Sequence, residues 1–279
     1  MRFRASARIG ALGLLPALVA CGGGMPLLHP AHSLPAGDLS GTVGASGHFL
    51  LGGVDDAIET ANREGPAFEG EAGERTAKGV AASVLGEPGV APFLSARAGV
   101  TDDVEAGVAY SGRSARLDGR YSLLRERHLA LSGGLALELV LAHPSDDPEN
   151  GEPTSPTLRG VDPSGVSGWA VSLPVVVGYR SDAELVQLWA GVRGRYEHAS
   201  GEVLLAIEQN PSAELSAHAV SAEAILGLAV GLPPIWVAAE VSLGYLNVRG
   251  DLEPSGANPS SARVDGVTVS PAGALIARF

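Results

Sequence analysis

A chain of 279 residues with 45% apolar and 18% charged residues has room for one large domain. Its formal charge of −12 argues against nucleic acid as a partner, because phosphate recognition relies on basic surface. The single cysteine, Cys21, excludes an intramolecular disulfide and a cysteine-rich metal site, and past the N-terminus no run of about 18 apolar residues marks a transmembrane helix.

Residues 1–20 read as a targeting segment. Arg2, Arg4 and Arg8 form a positive start, and Ile9–Ala20 is an apolar stretch too short to span as a helix. Losing it removes three positive charges and no acid. The segment ends Leu18-Val19-Ala20-Cys21, which resembles the lipobox of bacterial lipoproteins. The resemblance implies cleavage before Cys21 and attachment of diacylglyceryl and a further acyl chain such as palmitate. Two or more acyl chains anchor stably where one is marginal. Gly22, in place of the aspartate that retains the family at the inner membrane, implies delivery to the outer membrane by the lipoprotein-export machinery. The alternative is an ordinary signal peptide with an incidental cysteine. Residues 21–36, rich in Gly and Pro, read as an acylated flexible linker. His29 and His32 within it are a weak metal pair or incidental.

From residue 37 onward the dominant signal is alternation with period two. Leu39–Phe49 is the first strand candidate. Residues 50–89 break the pattern and read as a long loop with structure of its own. In it, Asp55–Arg63 suggests a short amphipathic helix with Val54, Ile58 and Ala61 on one face, and Ala77–Leu85 is helix or strand. Strands follow at 91–100, 102–112, 114–124, 128–142, 166–180, 184–198, 214–231, 235–249 and 264–279. In 102–112, Val104, Ala106, Val108 and Tyr110 oppose Glu105, Gly107, Ala109 and Ser111. In 114–124, Leu117, Gly119, Tyr121 and Leu123 oppose Arg116, Asp118, Arg120 and Ser122. The connections at 101–103, 125–127, 181–183 and 232–234 are short. Those at 50–89, 143–165, 199–213 and 250–263 are long, with a short turn near Gly112 as the exception.

All five tyrosines, Tyr110, Tyr121, Tyr179, Tyr196 and Tyr245, fall on the apolar face at or near strand ends, where a girdle at a membrane–water boundary would place them. The expected fold is therefore all-β: an up-and-down antiparallel transmembrane β-barrel of about ten strands over residues 37–279. Its closure is required, because lipid cannot satisfy a free strand edge. A soluble periplasmic lipoprotein β-sandwich is the competing fold. The end of the chain, Gly273–Phe279, is similar to the last strand of bacterial outer-membrane proteins, which commonly finish in phenylalanine. That resemblance implies that Phe279 belongs to the interface aromatics and that the barrel-assembly machinery reads this terminus. Ten strands would bring both termini to the periplasm, with outer-membrane lipid around the barrel.

The inward face then carries Arg97, Glu105, Arg116, Asp118, Arg120, Glu138, Gln187, Arg193, Arg195, Glu197, Glu223, Glu240 and Arg278. This set is either a ligand or selectivity site or a mutually neutralising network that makes a narrow interior tolerable. Ten strands lie near the size at which side chains fill a barrel, so no general diffusion pore is expected. GxSxG, HExxH and Walker motifs are absent from the sequence, and neither catalytic residues nor a cofactor nor a particular ligand is assigned. Three functions stay open: a non-catalytic barrel with a structural, binding or narrow small-solute transport role; a barrel-embedded hydrolase using His143, Asp146, Asp147, His198 or His218; and the soluble sandwich.

Overall fold

The computed structural model describes residues 24–67, 70–86, 88–112, 114–140, 158, 160–205, 212–256 and 258–279. Cys21, His143, Asp146 and Asp147 lie outside the described residues.

Ten antiparallel strands close into one ring: β1 (Leu39–Leu51), β2 (Gly89–Gly99), β3 (Val104–Tyr110), β4 (Ser114–Arg125), β5 (Leu129–Val140), β6 (Val161–Arg180), β7 (Val186–Leu205), β8 (Ser212–Leu232), β9 (Ile235–Pro254) and β10 (Ser260–Arg278). Each strand pairs with its sequence neighbours, and β1 pairs with β10 to complete the ring, Val43 opposite Leu275. Over the height that all ten strands share, no strand edge is left open, which removes the main hazard of an exposed sheet. The first and last residues of the barrel share a rim with the four short turns.

The alternation works as the sequence suggests over the lower part of every strand. Leu117, Leu137, Leu173, Val192, Leu226, Leu243 and Leu275 face outward and are exposed, while Arg116, Arg120, Glu138, Arg193 and Glu223 face inward and are buried. Further from the short-turn rim the polarity inverts without any change of side-chain parity. On β7–β10, Ser200, Glu202, Glu214, Ser216, Arg249, Glu253 and Arg263 point outward, and Ala199, Val203, Leu215, Ala217, Val248, Leu252 and Val264 point inward. This inversion corrects the loop boundaries. Much of 199–213 and 250–263, and the end of 143–165, is strand, so β6–β10 stand taller than β2–β5.

Two helices fill the apolar upper interior: α1 (Gly53–Glu64) and α2 (Gly70–Gly86). Asp55 and Asp56 in the first turn of α1 and Arg63 in its last complement the helix dipole. Val54, Ile58 and Ala61 recur at helical spacing and are buried, so α1 presents one stripe to the barrel. Val80, Ala81, Val84 and Leu85 of α2 join them in one cluster with Leu50, Leu215, Val248 and Val264. Each large aliphatic side chain so buried contributes roughly 1.5–3 kcal/mol. The segment 77–85 is therefore helix.

The largest departure from the sequence reading is at 24–36. These residues are no flexible linker. They run inside the barrel as an irregular segment that bends at His29, Ala31 and His32, with Met25, Leu27, Leu28, Ala31 and Leu34 all buried. Linker composition is a statement about chain stiffness, and it is overridden here by partners 71 to 213 residues away.

Candidate functional site

The lumen is built in three levels from the short-turn rim inward. At the rim, Arg278 donates to Gln187 Oε1 at 2.9 Å, pairs with Glu184 at 3.3 Å, and lies 4.8 Å over the Trp236 ring. Close by, the segment enters the barrel: Gly37 N–H donates to Gly99 O at 2.9 Å, and Ala36 N–H to Asp102 Oδ1 at 3.2 Å. Gly99 is needed here, since a Cβ on it would collide with the Pro35 carbonyl.

The middle level holds residues 24–34 against a charged wall. Carboxylates take its N–H groups. Glu240 accepts from Leu27 at 2.8 Å and Leu28 at 2.9 Å, and also from Trp189 Nε1 at 2.9 Å. Glu105 accepts from Leu34 N–H at 2.9 Å. Guanidiniums take its carbonyls: Arg193 donates to Met25 O at 2.5 Å, Arg116 to Pro26 O at 3.0 Å, and Arg120 to Pro30 O at 2.5 Å. Arg120 also donates to His29 Nδ1 at 2.6 Å. Leu27, Leu28 and Ala31 meanwhile pack with Phe93, Val176, Trp189 and Ile225. Ala31 sits so close to the wall that a Cβ at position 178 would be 2.8 Å from its own; glycine there leaves the room.

The same charged residues hold one another. Arg97 bridges Glu105 and Asp118, and Arg120 reaches Glu105 at 2.9 Å. Arg116 meets Asp118 at 3.2 Å, Arg193 meets Glu223 at 2.6 Å, and Arg195 meets Glu138 at 3.1 Å and Glu197 at 2.5 Å. Glu105 is 1% exposed and Arg120 5%, so bulk water screens the centre of this network little. Buried ions of this kind are tolerable only when paired and hydrogen-bonded.

Above Gly24, between the segment and the end of α2, lies a polar cavity of about 40 Å³. Glu138, Arg193, Arg195, Glu223, His48 and Ser270 are on its wall. That is room for one or two waters. Here His48 Nδ1 and Ser270 Oγ are 2.6 Å apart, and Ser46 Oγ donates to Gly24 O at 2.7 Å. The His48–Ser270 pair was not among the sequence candidates, because β1 and β10 are joined only by ring closure. The candidates His198 and His218 are cross-strand partners on the outer face, beside Trp169 and Tyr196. Neither lies in the lumen.

The interface aromatics point outward without exception: Tyr110, Tyr121, Tyr179, Tyr196, Tyr245 and Phe279 are all exposed. Tyr121, Tyr179 and Phe279 lie toward the short-turn rim. Tyr196 and Tyr245 are not at strand ends, since β7 and β9 continue past them. They mark instead the level at which the outer face turns polar. His29 and His32 are both buried in the lumen. Among the described residues no group of three or more His, Cys, Asp or Glu is arranged to hold a metal ion.

No protein-family model matches the chain, and no curated protein matches it. Among solved structures it is similar to the Neisserial surface protein A (NspA), with 9% identity over 87% of this chain and 96% of that one and a TM-score of 0.34. It is also similar to a major outer membrane protein from Thermus thermophilus, with 12% identity over 86% and 99% and a TM-score of 0.39. For the outer membrane protease OmpT from Escherichia coli the figures are 10%, 87%, 94% and 0.41. The fold assignment rests on this chain's own strand ladder.

Proposed function

We propose that the chain is a non-catalytic outer-membrane β-barrel, closed to free diffusion, whose interior serves a structural or binding role. The observation that carries this reading is the outward apolar band. On β9 it runs from Ile235 to Tyr245, eleven residues whose ten steps rise about 25 Å in a strand tilted by about 40°. That is the height of the apolar girdle of an outer-membrane barrel, and aromatic side chains stand at both of its margins. A sheet with this exterior is stable only where hydrocarbon covers it. The rim with short turns and both barrel ends faces the periplasm, by the general arrangement of such barrels.

The second element of the proposal is acylation at Cys21, supported by the Leu18–Cys21 run and by the absence of any other cysteine. Seating of residues 24–36 restricts it. Gly24 lies beside Ser46, seven residues up β1 from Leu39, or roughly 18 Å from the periplasmic rim along a tilted strand. Cys21 is at most about 10 Å of chain further on. An acylated Cys21 therefore reaches the periplasmic leaflet only when the segment has left its seat. Anchored and plugged arrangements exclude each other.

Catalysis at His48–Ser270 is disfavoured by the size of the cavity and by the segment and helices that close it on both sides. Extraction tests the membrane reading. The chain stays in outer membranes washed with carbonate or urea and is released only by detergent; release without detergent overturns the proposal. Labelling with radioactive palmitate, lost in Cys21→Ser, tests acylation separately.

A further inference from the structure

The contacts that hold residues 24–34 have an unusual distribution. The wall addresses the backbone of the segment more than its side chains. Three of its N–H groups go to Glu240 and Glu105, and three carbonyls go to Arg193, Arg116 and Arg120. Any polypeptide that can follow the same bent path, with a left-handed residue at the position of Leu28 (φ 47°), offers that same series of donors and acceptors. Side-chain contacts centre on an apolar pair, Leu27 and Leu28, packed with Trp189 and Phe93, and on a small residue at Ala31 against Gly178, with His29 accepting from Arg120.

The ring does not depend on this occupant. Closure runs through β1–β10 and β1–β2, and the described backbone bonds of the N-terminal segment to the sheet begin only at Gly37. Removing 24–34 leaves the ladder whole. It also leaves Glu240, Glu105, Arg116, Arg120 and Arg193 lining a recess roofed by α1 and α2, with the Arg278–Gln187–Glu184 contacts at its periplasmic rim. Charged groups that lose their partners there need new ones. A small solute cannot satisfy six such positions in sequence, whereas a peptide that takes this bent path does.

We propose that the lumen is a receptor for a bent polypeptide segment entering from the periplasmic rim, and that residues 24–36 occupy it in cis. A peptide of like chemistry, with two adjacent leucine-type residues and a small residue three positions on, takes the same place in trans. This rests on the reading of the chain as a closed barrel, but its test does not: membrane extraction can fail while peptide binding succeeds, and the reverse.

The test uses the full-length chain in a Cys21→Ser background, reconstituted in lipid nanodiscs, and a fluorescent synthetic peptide of residues 24–36. Leu27→Asp with Leu28→Asp unseats the internal segment. Ala31→Cys with Gly178→Cys locks it by a disulfide, which the adjacency of these positions allows after a small shift. The unseated protein binds the peptide saturably and at least tenfold more tightly than the locked one, and Glu240→Ala added to the unseated protein weakens binding at least tenfold. Equal binding to both proteins, or none to an unseated protein that still shows the heat-modifiable mobility of a folded barrel, overturns the proposal. Should the double aspartate variant not fold, exchange decides. The peptide carrying Ala31→Cys forms a disulfide with the full-length Gly178→Cys protein over hours; no cross-link after days overturns it as well.

Discussion

At the scale of single residues, Glu240 is the clearest case of a side chain whose role is set by the fold. It stands alone among apolar and small neighbours on β9, and alternation places it inward. Nothing near it in sequence signals that it accepts from two consecutive backbone N–H groups 212 and 213 residues away and from Trp189. Glu240→Ala strands three buried donors at about 1–3 kcal/mol each before relaxation. We expect a loss of roughly 3–5 kcal/mol, read as a lower urea midpoint of the reconstituted barrel, with Glu240→Gln losing less because its carbonyl keeps one acceptor. The outer face gives the complementary case. Leu226 lies mid-band and is 60% exposed. Leu226→Arg is expected to cost about 2–4 kcal/mol in a bilayer, whereas Glu202→Arg, on the polar upper wall, costs close to nothing. Equal effects in the two variants would remove lipid from the picture.

Elements show where reading from sequence succeeds and where it stops. Strand existence was legible because the lower barrel separates apolar from charged positions with period two, as in Val104–Tyr110 against Glu105 and Gly107. The upper ends of β7 and β9 and the first residues of β10 were not legible as strands. Their outward residues turn polar on leaving the hydrocarbon while their inward residues turn apolar to receive α1 and α2, so the face that carried the signal changes partway along. The helix stripe Val54, Ile58, Ala61 was legible, but its burial partners Val264 and Leu215 were not, being fixed by ring closure. Residues 24–36 were unreadable for a related reason: GMPLLHPAHSLPA has no periodicity, and its fit depends on side chains from β3, β4, β7 and β9 at once. The helix pair makes its own prediction. Val80 is fully buried in the upper cluster. Val80→Asp is expected to destabilise that level by about 3 kcal/mol or more, and amide exchange would show α1 and α2 opening while β1–β10 pairing stays protected.

For the whole molecule, three layers close the lumen in series: the Arg278–Gln187–Glu184 rim, the segment on its charged seat, and the helix pair. A planar bilayer containing the full chain is accordingly expected to show no steady conductance, and unseating the segment alone by Leu27→Asp and Leu28→Asp leaves it closed, because α1 and α2 still roof the recess. Steady currents from the unaltered chain would mean that the interior is a channel. The interior charges act together here. Arg97, Glu105, Asp118, Arg116 and Arg120 form one contiguous network, so single replacements within it are expected to be non-additive.

All of this depends on which face of the sheet meets hydrocarbon. The most direct measurement is spin-label accessibility in the Cys21→Ser protein reconstituted in lipid, with labels placed singly at Leu137, Val192 and Leu226 and at Ser132, Ser172 and Ser221. Labels at the first three positions are expected to relax with oxygen dissolved in lipid and to ignore an aqueous nickel chelate, and those at the second three to be shielded from both. Labels at the serine positions that respond to lipid-borne oxygen, with the leucine and valine positions shielded, would contradict a lipid-facing exterior.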